Sequence, residues 1–236
     1  MGYTLRMHIV RYLLVVILLS GLALAIYVLA PKAPELSVVQ TATSTTSGTE
    51  MKVEDIYGDT DTYHIEMHYP QFGIPSVDAK IKSVVDTAVD TFKEYPANPP
   101  DSSLPQNELT GSFASTYVGP DVVSVKLSLS EYTGGAHPNT VLIGINVDPR
   151  SGRELTLDDA LSMIGKDLQQ VADESLKELR SKLGDNVLDS AKGAEAKSEN
   201  YSTFVVSKDK VTFIFNVYQV APYAAGPQEV SFARVR

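Results

Sequence analysis

Three patterns in the chain predict an α+β fold, a mixed or antiparallel sheet with two main helices, preceded by one N-terminal transmembrane helix. Residues 63–69 and 123–129 alternate apolar and polar side chains with period two. Residues 76–95 and 166–183 repeat apolar side chains at three- and four-residue spacings, and residues 12–30 carry no charge.

The uncharged run Tyr12–Ala30 makes a helix of roughly 28 Å at ~1.5 Å per residue, close to the hydrocarbon thickness of a bilayer. Arg6 and Arg11 precede it and no acidic residue does. Residues 1–11 are therefore expected to be a cytoplasmic tail, with the C-terminal domain outside the cytoplasmic membrane. The alternative is a cleaved signal peptide with secretion. Ala23-Leu24-Ala25 has the small-x-small pattern of a cleavage site, but the apolar run continues through Leu29, which favours a retained anchor. Residues 31–50 are rich in Thr, Ser, Ala and Pro and lack aromatics, the composition of a flexible linker.

Residues 51–236 are read as one exported α+β unit, in halves 51–147 and 148–236 whose strands share one sheet. Tyr63, Ile65, Met67 and Tyr69 form one face of a half-buried strand that Pro70 ends. A helix over 76–95 follows, with Val77, Ile81, Val84, Val85, Ala88, Phe92 and Tyr95 as its apolar stripe. Residues 98–107 form a loop rich in Pro, Ser and Asp. Strands come next at 122–130 and 140–147, closed by the turn Asp148-Pro149-Arg150-Ser151-Gly152. Thr156 has the position of an N-cap, with Asp158 and Asp159 in the first turn. The second long helix runs over 166–183 and is capped by Gly184. A hairpin joins 204–206 to 211–220 around Ser207–Lys210, and 229–233 is a last short strand.

Composition narrows the chemistry. The chain has no cysteine, so thiol nucleophiles and thiolate metal sites are excluded and no disulfide supports the fold. Arg6 and Arg11 are the only charged residues before Lys32. Removing their two charges from the formal −9 leaves −11 for the exported part. Such a field repels nucleic acid and attracts a cationic partner.

Four motifs were candidates for a site. His64-x-Glu66-x-His68 has a composition that suits a metal, but ligands two apart on a strand stand ~6.6 Å from each other and lie opposite the apolar alternation. They are read as a solvent face, with no metal and no cofactor. Ser207-x-x-Lys210 and Ser198-x-Asn200 resemble elements of penicillin-recognising enzymes but in reversed order, and are rejected. The densest stretch is Gly134-Gly135-Ala136-His137-Pro138-Asn139. Its glycines allow positive φ, and Pro138 restricts the backbone of His137. Ser128, Ser130, Thr133 and Glu131 are near it in sequence, but no nucleophile-elbow pattern is present. The second dense stretch runs from Tyr218 to Pro227, two tyrosines among small residues and prolines.

The stretches YTGGAHPNT, VDPRSGRELTLDDAL and FIFNVYQVAPYAAGPQEVSF together resemble the exported domain of RsiV-type anti-sigma factors. The first half is similar to the non-catalytic N-terminal region of the peptidoglycan deacetylase PdaC. The resemblance covers roughly residues 53–232. It implies an α+β domain and, for its best-known type, a membrane-anchored receptor that binds lysozyme. Only residues 1–11 precede the apolar run, which argues against direct inhibition of a sigma factor, and the deacetylase's metal-binding motifs are absent. The expectation is a binding or sensing domain, not an enzyme, for a basic protein such as lysozyme or for peptidoglycan. Its contact surface is placed at Gly134, Gly135, His137, Asn139, Tyr218, Tyr223 and Gly226. The alternatives are a glycan hydrolase or deacetylase using His137, and a non-catalytic structural accessory of an envelope complex.

Overall fold

A computed structural model describes residues 51–98 and 104–235. The expected transmembrane segment 12–30 and the linker 31–50 lie outside the described residues. Among the described residues no helix is long and apolar enough to cross a membrane. The described residues belong to one compact unit.

The strands divide between two sheets rather than sharing one. The first sheet holds β1 (Lys52–Asp59), β2 (Tyr63–Gln71), β3 (Asn107–Val118), β4 (Val123–Tyr132) and β5 (Asn139–Val147) in sequence order. It is mixed, because β2 and β3 run parallel and every other neighbouring pair is antiparallel. The parallel pair needs a crossover, supplied by helix α1 (Pro75–Lys93). The second sheet is antiparallel, with β6 (Phe204–Val206), β7 (Lys210–Phe215) and β8 (Gln228–Ala233) in that order.

Helix α1 starts with Pro75, whose missing N–H is no loss in the first turn. It buries Val77, Ile81, Val85, Val89 and Phe92 against Ile65, Met67, Leu109, Val125, Leu127 and Ile145 of the first sheet. Tyr95, expected in that stripe, lies past the helix end and is 43% exposed.

Between the sheets the N-cap expected at Thr156 starts a short helix of its own ahead of the second long one, which makes three α-helices among the described residues. In α2 (Leu157–Ile164), Thr156 and Asp159 form a reciprocal capping box and Gly165 ends the helix in the left-handed conformation. Arg153 and the Thr156 cap hold the Asp159 carboxyl well below the usual carboxylate range. In α3 (Leu168–Leu183), Asp167 and Gln170 form a second capping box. Both helices pack on a core containing Tyr201, Phe204, Val211, Phe213, Phe215, Val230 and Phe232. The Tyr201 hydroxyl, pushed up to about 12 chiefly by burial, donates to the Ala194 carbonyl at 2.8 Å.

The second sheet meets the first through β6, which crosses the polar face of β4 and β5 instead of extending the sheet edge. Gly144 makes this possible: a Cβ there would stand 1.8 Å from the Phe204 carbonyl oxygen. Ser124, wholly buried, donates to Asn146 Oδ1 at 2.7 Å and accepts the Val206 N–H at 2.8 Å. Asn146 in turn donates to the Phe204 carbonyl at 2.8 Å. Lys126 bridges to Glu229 at 2.8 Å.

Other boundaries differ from expectation for local reasons. Strand β2 continues through Pro70 to Gln71, paired with β1, which was not anticipated. Strand β3 begins at Asn107 and occupies a stretch not assigned from sequence. Strand β7 stops at Phe215, and 216–219 form a turn in which the Gln219 N–H donates to the Asn216 carbonyl. Ser207 and Lys210 bond through Ser207 Oγ and the Lys210 main chain, closing the β6–β7 turn.

Candidate functional site

The two dense stretches come together. The β4–β5 connection carries His137, and the segment between β7 and β8 carries Tyr218 and Tyr223. The Tyr223 ring stacks on His137 with centroids 3.8 Å apart and planes at 21°. Tyr218 lies at 6.5 Å from His137 and 5.7 Å from Tyr223, completing a three-ring cluster.

Hydrogen bonds set the orientation of the imidazole. His137 Nδ1 lies 2.9 Å from the Pro138 carbonyl oxygen, which can only accept, so Nδ1 carries the proton. Nε2 is then the acceptor for the Tyr218 hydroxyl at 3.3 Å. The Tyr223 hydroxyl donates to the same Pro138 carbonyl at 3.0 Å. The ring is held by a main-chain carbonyl, a phenol and a stacked face.

Main-chain geometry brings the segments into register. Asn216, directly after β7, accepts the Leu142 N–H at 2.7 Å and donates to the Leu142 carbonyl at 3.1 Å. A primary amide thus pairs with the free edge of β5 as a neighbouring strand would. From that anchor the chain enters Tyr218, which has φ 65, the one non-glycine residue with positive φ among the described residues. A left-handed non-glycine residue costs of order 1–3 kcal/mol and persists where surrounding contacts enforce it. Tyr218 is nevertheless 56% exposed. Anchors stand on both sides of Tyr218: the Asn216 clamp before it, and after it Gln219, whose side chain accepts the Asn216 N–H and donates to the Gly193 and Asn200 carbonyls.

The remaining expected contact residues flank this cluster. Gly134 has φ 95, and a Cβ there would approach Leu104 Cδ1 to 2.9 Å, so its glycine serves backbone conformation and close packing. Gly135 has no positive φ. Gly226 has φ 67 and ends the single helical turn Tyr223–Ala225. Asn139, the exposed first residue of β5, pairs with Glu131.

Two of the side chains weighed as catalytic partners of His137, Ser130 and Glu131, are engaged elsewhere. Ser130 accepts from Thr140 at 3.2 Å, and Glu131 accepts from Tyr95 at 3.5 Å. The His64-x-Glu66-x-His68 face is on the polar side of β2, as the alternation requires. His68 Nδ1 lies 2.6 Å from Asp55 and Nε2 3.2 Å from Glu66. The hydrogen bond to Asp55 raises the His68 pKa above its ordinary value, against an opposing effect of partial burial. Among the described residues, no group of three or more His, Asp or Glu side chains could hold a metal ion.

Comparison with known proteins divides the chain at the same place as the two sheets. Residues 56–140 match the family model described as "Deacetylase PdaC", and residues 156–234 match "Protein of unknown function (DUF3298)". The peptidoglycan-N-acetylmuramic acid deacetylase PdaC of Bacillus subtilis (strain 168) is 26% identical over 188 residues, 78% of this chain. The chain spans only 40% of that relative's length. The crystal structure of a DUF3298 family protein from Pseudomonas aeruginosa PAO1 superimposes with TM-score 0.55 at 16% identity, covering 79% of this chain and 91% of that one. A DUF3298 family member from Bacteroides fragilis NCTC 9343 gives 0.49 at 18% identity, covering 80% and 92%. The Pseudomonas structure shows a shared fold. The similarity to PdaC expected from the first half is present.

Proposed function

We propose that this chain is a membrane-tethered, extracytoplasmic recognition module for a cell-envelope ligand, either a basic protein such as lysozyme or peptidoglycan itself. The contact surface is the composite of Gly134–Asn139 and Tyr218–Gly226. The carrying observation is the His137–Tyr218–Tyr223 cluster at the surface, assembled from segments 81 residues apart, with Tyr218 in an otherwise disfavoured backbone conformation between the anchored Asn216 and Gln219. Rigid tyrosines with exposed edges are the side chains that dominate recognition surfaces, because they supply contact area with little conformational entropy to lose. The acidic balance of the chain favours a basic partner and speeds its approach. The resemblance of the C-terminal half to RsiV-type exported domains makes lysozyme the first candidate.

A second reading, an envelope-glycan hydrolase or deacetylase using His137, draws support from the name of the Bacillus subtilis relative. The partners of His137 favour binding over chemistry: its two nitrogens meet a carbonyl and a phenol rather than a nucleophile and an orienting acid.

Calorimetric titration of the chain with lysozyme, at low and high salt, tests the proposal. Saturable binding weakened by salt is expected, with Tyr223→Ala weakening it by about tenfold or more. Absence of heat at both salts removes lysozyme as the partner and leaves peptidoglycan fragments as the next titrant. Binding indifferent to salt defeats the steering argument. Glycan turnover abolished by His137→Ala in a folded chain would transfer the assignment to the enzyme.

A further inference from the structure

The open part of the polar face on the first sheet holds a groove of ≈ 190 Å³ lined by Glu66, His68, Thr110, Ser112, Ser128 and Ser130. Register explains its shape. Thr110 stands between Glu66 and Ser130 across the strands, and Ser112 pairs with Ser128. Short hydroxyl side chains thus form a low floor in the centre of the sheet. Taller groups stand beside it. On the β1 side, Tyr57 is 65% exposed and meets His68 edge to face at 5.9 Å. Towards the second sheet, Lys126, two residues from Ser128 on the same face of β4, carries its bridge to Glu229.

The floor offers unused hydrogen-bonding capacity. Among the described residues, the hydroxyls of Thr110, Ser112 and Ser128 have no hydrogen-bond partner. His68 holds the adjacent carboxylates in place: both ring nitrogens face acceptor-only oxygens, of Asp55 and Glu66, so only the doubly protonated ring makes both bonds. One imidazolium between two carboxylates leaves the wall net negative.

A ligand for this groove must satisfy neutral hydroxyls and a carboxylate, offer an apolar face to an exposed tyrosine, and carry no negative charge. A pyranose ring meets all three conditions, with hydroxyls around its rim and C–H groups on its face. A peptide fits less well, because the groove lies on a sheet face rather than an edge and provides no strand ladder. The volume is below the ~300 Å³ of pockets that enclose a drug-sized ligand, which suits one ring of a longer chain lying across the sheet. We propose that this groove binds one pyranose ring of a neutral oligosaccharide or polysaccharide, with Tyr57 as the stacking platform and Glu66, Thr110, Ser112 and Ser128 as hydrogen-bonding partners. It does not depend on the His137 cluster or on the identity of that cluster's ligand.

The test is calorimetric titration of the full-length chain, in a polyoxyethylene detergent that carries no sugar, with cellotetraose, chitotetraose and tetragalacturonate. Binding of at least one neutral tetramer is expected, with the anionic one rejected. Tyr57→Ala, at an exposed position, is expected to weaken binding about tenfold. Ser128→Leu, which fills the floor, has the same expected effect, with far-ultraviolet circular dichroism checking that each variant is folded. The proposal is overturned if neither neutral tetramer binds at millimolar concentration, if tetragalacturonate binds as tightly, or if both folded variants bind like the parent.

Discussion

Along β4, Ser124, Lys126, Ser128 and Ser130 project from one face of one strand, yet the two ends of that face have different fates. At the Ser124 end, β6 covers the sheet, and Ser124, Asn146 and the Phe204 and Val206 main chain satisfy one another in full burial. At the Ser130 end, the same alternation opens onto a half-buried groove where the hydroxyls of Thr110, Ser112 and Ser128 are left to solvent. Polar alternation therefore marks a face without deciding what covers it. Where protein replaces water, every donor and acceptor must find a partner, because an unpaired buried group costs about as much as the bond it lacks. Where water stays, no such pairing is required, and the groups remain available to a ligand.

That contrast breaks most sharply at Gly144. Gly144→Ala forces a methyl group into the Phe204 carbonyl and is expected to destabilise the chain by about 3 kcal/mol, visible as a lower urea midpoint. An unchanged midpoint would mean that β6 is not held against the first sheet. Next in size, Asn146→Ala removes the acceptor of Ser124 and the donor to Phe204, with an expected loss of about 2 kcal/mol. The equivalent truncation at the open end, Ser128→Ala, is expected to stay within about 0.5 kcal/mol, and equal costs at the two positions would erase the distinction.

The smallest expected effect belongs to His68 at the open end. Its folded pKa is raised above 6.5, chiefly by the hydrogen bond to Asp55. The linked stability is fully present below that ordinary value and is lost as pH rises through the raised folded one. Nuclear magnetic resonance of the imidazole protons should show His68 titrating above 6.5, and Asp55→Asn should bring it down. A His68 midpoint indifferent to Asp55→Asn would remove the pair.

Much of the fold was legible locally. The alternation in β2 and β4, the apolar stripe of α1 and the Thr156 cap were visible because each depends on neighbours a few residues away. Strand β1 was not, since its core-side positions read Lys52, Glu54, Ile56 and Gly58, of which only the last two are even partly buried. In β3, Gly111 occupies an inward position where a Cβ would collide with Met67, interrupting the apolar signal. The His137 and Tyr218–Tyr223 stretches stood out as compositions. Their stacking, the Asn216 clamp and the groove around Glu66 and Thr110 depend on pairings between distant segments that no local pattern encodes.

By itself the sequence determined that this is an acidic, cysteine-free α+β chain with one polar and one apolar face to the strands at 63–69 and 123–129. Only the tertiary structure decided that the strands form two sheets, that β6 lies on the polar face of the first, and that His137 meets Tyr223. The physical reason is range. Periodicity and caps follow from the geometry of adjacent residues, whereas the contact of Ser124 with Val206 spans 82 residues and exists only once Gly144 lets the second backbone come close.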